Sequence, residues 1–161
     1  MATRSAKWTG AGVGICAAFL IAYEGFAPVA VHERVDPAGV ITVCFGRTNY
    51  DDPDLRAGQR FTKEQCKAFL EEDLPKYAAP LQRCVLNFDA VPPNRQAALV
   101  SFSYNVGPVT ACKSSVVRRM NEGDIRGGCE ALMLYTRANG VELRGLVNRR
   151  AAERKLCLEG L

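Results

Sequence analysis

The sequence predicts an α+β fold in which a small β-hairpin lobe is joined to a mainly helical lobe. Three observations lead to this prediction: an apolar, helix-like N-terminal segment, a short β-rich stretch with a turn signal, and repeated helical patterns after residue 60. We expect one domain, because 161 residues is a common domain size. Residues 1–24 would supply the apolar segment and first helix, residues 25–60 the β lobe, and residues 61–161 the helical lobe.

The N-terminal segment has two interpretations. Residues 9–23 are uncharged, rich in glycine and alanine, and preceded by Arg4 and Lys7. Apolar residues recur at helical spacing from Val13 to Glu24, which predicts a first helix. The run is shorter than the roughly 20 residues of a membrane-spanning helix, yet it matches the apolar region of a signal peptide that follows positive charge. A buried first helix and an uncleaved membrane signal both stay open.

The β lobe is predicted from alternation and turn chemistry. Residues 29–35 alternate as a half-exposed strand, and residues 36–39 have the Asp, Pro and Gly positions of a type I turn. Residues 40–45 form a second β-rich run, so we expect a hairpin over residues 29–46. The polar stretch 49–59 is expected to be a loop.

Helical patterns dominate the rest of the chain. Thr62 and Gln65 have the spacing of a capping box at a helix start, and Pro75 and Pro80 are expected to kink or divide the helix that begins there. Further helix boundaries and turns are indicated by Pro92-Pro93, Gly107-Pro108 and Asn139-Gly140. Additional helices are expected at 112–121, 124–135 and 145–158.

Composition excludes several classes of protein. Apolar residues make up 48% of the chain and charged residues 24%, as in globular proteins rather than disordered ones. A net charge of +4 is too small for a nucleic-acid-binding surface, so no nucleic-acid partner is expected. The chain has a single histidine, and none of its cysteines has C-x-x-C spacing, so we expect no metal site. We also expect a monomer.

The seven cysteines indicate an oxidising compartment. Cysteines dispersed along a small domain are typical of disulfides formed in a space such as the periplasm, whereas buried free thiols in a cytosolic protein are the alternative. Because seven is odd, at least one thiol is left over. Cys16 is the natural candidate, since it alone lies in the apolar N-terminal run.

Two carboxylates and a threonine are candidates for chemistry. Glu24 is expected at the end of the first helix, where apolar neighbours and the negative end of the helix dipole both favour a protonated carboxyl group. Asp36, in a solvated turn, is expected to stay ionised. One protonated and one ionised carboxyl group are what glycoside hydrolysis requires. Thr42, on the returning strand, has a hydroxyl group that can hold a water beside Asp36.

Several segments together resemble the phage-type lysozymes, the endolysins of glycoside hydrolase family 24. They occur in the family's order: Glu24-Gly25, the run from Asp36 to Gly46, Phe61 to Cys66, Ser101 to Gly107, Asn139 to Arg150, and Glu153 to Cys157. The resemblance implies a lysozyme-like fold with the active-site cleft between the lobes. It also implies cleavage of the β-1,4 bond between N-acetylmuramic acid and N-acetylglucosamine in peptidoglycan, a reaction that needs neither a metal nor an organic cofactor.

The same resemblance assigns roles residue by residue. It makes Glu24 the proton donor, Asp36 the base or water-holding carboxylate, and Thr42 the residue that positions the water. Asn105 matches a position that contacts the sugar chain, with a polar helix cap as the alternative. Asp36 stands twelve residues after Glu24, about three more than the usual family spacing, so Glu33 remains an alternative second carboxylate.

Other expectations concern the charged pair and the cysteines. Arg149 and Arg150 are expected to pair with Glu24 or with substrate carboxylates, with one of the two on a solvated helix face. Family-like positions imply three disulfides, namely Cys44–Cys66, Cys84–Cys112 and Cys129–Cys157.

The sequence is compatible with two ways in which the protein could be delivered to the cell wall. Residues 9–23 resemble a signal-arrest-release segment, which implies a periplasmic enzyme tethered to the inner membrane until it is released, with Cys16 free for thiol exchange. The alternative is an enzyme held in the host cytoplasm until a holin opens the membrane. Rival functions are a lytic transglycosylase, a chitinase and a non-catalytic wall-binding module.

Overall fold

A computed structural model describes residues 8–32 and 39–161 and divides the chain into two compact units. Among these residues, the smaller unit contains 17–32 and 39–73, and the larger unit contains 8–16 and 74–161. Both boundaries fall inside helices. The expected lobe boundaries after residues 24 and 60 therefore stay a prediction, while the α+β fold class is confirmed by a small antiparallel sheet and a set of helices.

The smaller unit is built around a three-stranded antiparallel sheet. Its strands are β1 (Ala27–His32), β2 (Ile41–Cys44) and β3 (Arg47–Thr48), in that order. β1 pairs with β2, so the predicted hairpin is confirmed. β3 was not predicted, because a strand of two residues leaves no alternation for a sequence pattern to show. The turn predicted at 36–39 lies largely outside the described residues, which resume at Gly39.

The first helix, α1, spans Ala11–Tyr23 and is held at its start by Trp8. Trp8 is 4% exposed, and its indole Nε1 donates to Gln96 Oε1 at 3.0 Å within the larger unit. Cys16 and Leu20, one helical turn apart, are fully buried, as their helical spacing predicted, whereas Tyr23, expected on the same face, is 41% exposed. Across residues 8–32 and 39–161, no helix combines the length and apolar character needed to cross a membrane.

The long helix α2 spans Lys63–Cys84 and contains both Pro75 and Pro80. Its start is the predicted capping box: Gln65 N donates to Thr62 Oγ1 at 3.2 Å, and Thr62 N donates to Gln65 Oε1 at 2.8 Å. The expectation that the prolines would divide the helix is wrong. Each proline removes one backbone hydrogen bond, but disulfides at Cys66 and Cys84 hold both parts of the helix.

The larger unit adds five helices and a short hairpin. They are α3 (Pro93–Val106), α4 (Pro108–Lys113), α5 (Ser115–Asn121), α6 (Ile125–Glu130), β4 (Arg137–Ala138), β5 (Val141–Glu142) and α7 (Arg144–Leu158), with 3-10 turns at Phe88–Ala90 and Ala131–Leu134. The helix expected at 112–121 is interrupted at Ser114, which caps α5 by accepting from Val117 N at 3.2 Å. The helix expected at 124–135 ends as a 3-10 turn.

Helix α3 is the core of the larger unit, since every residue from Arg95 to Ser103 is buried. It packs mainly against α7. The Asn139-Gly140 turn is confirmed, and it connects β4 to β5, two strands that were not predicted because each has two residues. Both α3 and α7 bury polar and charged side chains as well as apolar ones.

Candidate active site

Glu24 lies where α1 ends and the sheet of the smaller unit begins. Its backbone N–H donates to Leu20 O at 2.7 Å, which closes the last turn, and β1 starts three residues later at Ala27. The chain between passes through Phe26, whose ring lies 5.5 Å from that of Phe45, just after β2. The Glu24 side chain is half-buried. It is therefore held at a defined junction, as the sequence predicted.

Thr42 is half-buried on β2, the middle strand of the sheet. It stands opposite Val31 of β1 and Thr48 of β3. The Asp51 carboxylate accepts from the N–H and the hydroxyl of Thr48, both at 3.0 Å, and so fixes the partner strand. Thr42 thus has a strand on each side, which limits the movement of its backbone.

The two candidates for the second carboxylate, Asp36 and its alternative Glu33, lie outside the described residues. The register on either side of 33–38 is defined, because His32 of β1 pairs with Ile41 of β2. The preference for Asp36 over Glu33 stays a prediction.

Asn105 lies in the last turn of α3 in the larger unit, and it is exposed. Its Oδ1 accepts a hydrogen bond from Arg150 Nη2. Asn105 also lines a cavity of about 480 Å³, together with Tyr135 and Arg137. Tyr135 packs its ring 5.0 Å from Phe102, so one face is in the core while the residue also borders the cavity. The arrangement presents a polar and an aromatic side chain to one opening.

Arg149 and Arg150 do not lie on a solvated face, and that expectation is wrong. Arg149 is 5% exposed and Arg150 is fully buried. Both contact the buried carboxylate of Glu153: Arg149 Nε lies 3.1 Å from Oε1, and Arg150 Nη1 contacts Oε2. Ser101 Oγ donates to Glu153 Oε1 at 2.7 Å. The i+4 and i+3 spacing was visible in the sequence, but not the burial of the whole helix face.

Burial and the ion network of Arg149, Arg150, Ser101 and Glu153 have opposing effects on the pKa of the Glu153 carboxyl group. Burial raises the pKa of the Glu153 carboxyl, whereas Arg150, Ser101 and Arg149 act in the opposite direction by stabilising the carboxylate. The guanidinium of Arg150 also lies 5.1 Å from the Phe102 ring centre. Through Arg150, the network fixes the position of Asn105 at the surface.

The cysteines follow the expected pattern. The structure contains the disulfides Cys44–Cys66, Cys84–Cys112 and Cys129–Cys157, so the predicted pairing is confirmed. Cys16 is free and fully buried. Burial, and to a lesser degree Glu153, raises the pKa of its thiol far above the ordinary value. Thiol exchange by Cys16 therefore requires α1 to leave its packed position, because only the thiolate is nucleophilic.

The described residues offer no grouping of three His, Cys, Asp or Glu side chains that would hold a metal ion. Each unit has its own candidate residues: the smaller unit has a glutamate at the end of α1 and a threonine on β2, and the larger unit has an exposed asparagine hydrogen-bonded to a buried arginine.

Comparison with known proteins identifies the family to which this chain belongs. The Phage lysozyme family model matches residues 21–153, and the chain belongs to that family. Among its relatives, the SAR-endolysin of Pseudomonas phage phiKMV is 38% identical over 156 residues, covering 93% of this chain and 90% of the relative. The SAR-endolysin of Enterobacteria phage P21 is 37% identical over 137 residues, covering 85% and 80%.

A solved structure agrees with the fold. The muramidase domain of SpmX from Asticcacaulis excentricus superposes with a TM-score of 0.75 at 31% identity, covering 93% of this chain and 96% of that one. The resemblance inferred from the sequence motifs is thereby confirmed. Family membership makes this chain an enzyme of the lysozyme and endolysin class, with peptidoglycan lysis as its general activity.

Proposed function

We propose that this protein is a muramidase that hydrolyses the β-1,4 bond between N-acetylmuramic acid and N-acetylglucosamine. The observation that carries the proposal is the position of Glu24, half-buried at the α1–β1 junction of a chain that belongs to the phage lysozyme family. A carboxyl group at a fixed junction, partly shielded from water, suits proton donation to a leaving oxygen.

The proposed reaction uses two carboxyl groups and one water. Glu24 donates its proton to the glycosidic oxygen as the bond between that oxygen and the muramic acid anomeric carbon breaks. A water attacks this carbon from the opposite face, and Asp36 accepts the proton that the water loses. The products are a free sugar hydroxyl and an inverted reducing end, as in other inverting glycosidases.

Thr42 would hold the attacking water. Its hydroxyl group can accept one hydrogen bond from the water and donate another, and its place on the middle strand restricts where the water sits. Because hydrogen-bonded positioning brings the water into line with the sugar carbon, we expect Thr42 to affect kcat more than substrate binding.

Asn105 would bind the saccharide chain beside the cavity of the larger unit. Arg150 engages the amide oxygen, which orients the amide NH₂ group as a donor for an acetamido carbonyl or a sugar hydroxyl. The positive net charge of +4 would assist the approach to an anionic wall, with an effect that decreases as salt increases.

Variants of the three candidate carboxylates test this assignment. The rate of lysis of outer-membrane-permeabilised cells is measured from the decrease in turbidity. We expect this rate to fall by roughly 100-fold or more in Glu24→Gln and Asp36→Asn. Glu33→Gln is the matched control and should retain most activity. Full activity in Asp36→Asn with loss in Glu33→Gln would reassign the second carboxylate, and full activity in Glu24→Gln would refute the mechanism.

We propose further that residues 9–23 act as a signal-arrest-release segment. The SAR-endolysin relatives support this, and so does α1 itself, which is apolar throughout yet supplies buried side chains such as Cys16 and Leu20 to the folded protein. While the segment is in a membrane, these side chains would be missing from the fold. The tethered enzyme would therefore be inactive, and release would activate it.

Cell fractionation tests the tether. The intact chain should be found with the inner membrane before lysis and in the periplasm after the membrane is depolarised. Replacing Leu20 by Lys should prevent membrane association, because a charged residue in a membrane segment costs about 2.5–3.5 kcal/mol. A chain that is found only in the cytosol, with all seven cysteines reduced, would contradict the tether and favour holin-dependent delivery.

A further inference from the structure

The three disulfides differ in their access to solvent. Cys44, Cys66, Cys129 and Cys157 are all buried, with exposures of 2% or less. Cys84 and Cys112, in contrast, are both half-buried. Their bond joins the last residue of α2 to α4 within the larger unit. An attacking thiolate must reach a sulfur atom along the S–S axis, so access determines which disulfide reacts.

A cavity of about 370 Å³ opens directly on this disulfide. Both cysteines line it, together with the cations Arg83 and Lys113 and the apolar side chains of Pro108 and Val109. Val109 is 69% exposed, so the opening is continuous with solvent. The volume lies at the lower end of the range for small-molecule sites. The lining therefore combines a reactive S–S bond, two positive charges and an apolar wall.

We propose that this cavity is a thiol-reactive modification site that accepts an anionic low-molecular-weight thiol of the glutathione class. The two cations favour such a thiol in two ways. They attract its carboxylates, and they stabilise the negative charge that develops on the departing cysteine sulfur. The cysteines of the other two disulfides are buried, so a small thiol would reach their sulfur atoms less readily.

The reaction has two balanced steps. The thiolate of the small molecule attacks Sγ of Cys84 or Cys112, a mixed disulfide forms, and the other cysteine leaves as a thiolate that takes a proton from solvent. A second molecule of the thiol then attacks the mixed disulfide and releases the oxidised dimer of the small thiol. Two thiol molecules are oxidised, and one protein disulfide is reduced.

Each cysteine of this disulfide has a cation beside it in the sequence, Arg83 next to Cys84 and Lys113 next to Cys112. Either sulfur can therefore leave as a thiolate that a positive charge stabilises, and attack can occur at either cysteine. Opening this bond removes the covalent connection between α2 and α4, whose two cysteines are 28 residues apart in the sequence. The two buried disulfides stay intact.

Differential alkylation of the full-length oxidised protein tests the site. The protein is treated with increasing reduced glutathione under native conditions, new thiols are alkylated, and peptides are mapped by mass spectrometry. We expect Cys84 and Cys112 to be labelled first, at least about tenfold faster than the other disulfide cysteines. A mixed disulfide with glutathione should appear on Cys84 or Cys112. Equal or earlier labelling of Cys44–Cys66 or Cys129–Cys157 would overturn the proposal.

Charge variants test the selectivity for an anionic thiol. In the double variant Arg83→Gln/Lys113→Gln, the ratio of the glutathione rate to the 2-mercaptoethanol rate should fall about threefold. The matched control is Arg118→Gln/Lys155→Gln, which removes two exposed cations of the same unit that do not line the cavity. An unchanged ratio in the first variant, or an equal fall in the control, would refute the role of the cavity.

Discussion

Replacing Glu153 by glutamine tests whether the larger unit depends on its buried ion network. Glu153 is fully buried, and it contacts the Arg149 and Arg150 side chains, which are 6% and 0% exposed. Glutamine has almost the same size, so the packing changes little. It removes the negative charge, however, and turns one acceptor into an NH₂ donor that faces guanidinium N–H groups.

The expected cost arises from the charges left behind. Removing one partner of a buried ion pair typically costs about 3–5 kcal/mol, because an uncompensated charge remains in the interior. Here two guanidinium groups lose their carboxylate, and Ser101 Oγ loses its charged acceptor at 2.7 Å. With a stability of about 5–15 kcal/mol for an ordinary domain, the variant would lose a large share of its free energy of unfolding.

Urea unfolding at neutral pH with the disulfides intact measures this loss. At a slope of about 2 kcal/mol per molar urea, a loss of about 4 kcal/mol lowers the midpoint by about 2 M with little change in slope. The matched control is Glu122→Gln, since Arg118 and Glu122 have the same i,i+4 spacing on an exposed face, with 61% and 57% exposure. It should lose about 1 kcal/mol or less. If Glu153→Gln loses no more than the control, the network does not stabilise this unit as argued.

Two further predictions concern the start of the chain. Because burial and Glu153 raise the pKa of the Cys16 thiol, the unfolded chain loses this proton above about pH 8.5 while the folded protein keeps it, so stability decreases with rising pH. Between about pH 9 and 10, the free energy of unfolding should fall about 1 kcal/mol more in the wild type than in Cys16→Ala, and parallel curves would contradict the burial of the thiol. A Cβ at Gly12 would lie 2.7 Å from Trp8 Cζ2, so Gly12→Ala should lower the thermal midpoint by the equivalent of about 1–3 kcal/mol. Gly14→Ala on the same helix meets nothing within 4 Å and should raise it slightly; the reverse order would show that Trp8 does not pack as described.

Elements with a long repeating pattern or a local chemical signal were predictable. The helix α1, the capping box at Thr62 and the turn at Asn139-Gly140 all depend on residues close in sequence. The two-residue strands were missed because hydrogen bonding to a distant partner, rather than a pattern of their own, defines them. The continuity of α2 through Pro75 was missed for a similar reason, since packing and disulfides outweigh local propensity.

The candidate site was predictable only in part. The positions of Glu24 at a helix end and Thr42 on a strand were predictable because both elements are visible in the sequence, whereas their catalytic roles rest on the family motifs and stay a prediction. The buried pairing of Arg149 and Arg150 was not found, because whether a charged helix face is solvated depends on what packs against it. Here α3 covers that face and contributes Ser101, a partner 52 positions away from Glu153.

The chemistry of the cleaved ends of peptidoglycan tests the central claim most directly. Purified peptidoglycan is digested with wild-type protein and with Glu24→Gln, and the fragments are identified by mass spectrometry. We predict ordinary reducing N-acetylmuramic acid ends from the wild type and no fragments from the variant. Anhydro-muramic ends would identify a lytic transglycosylase, reducing N-acetylglucosamine ends a different glycosidase, and either result would contradict the muramidase assignment.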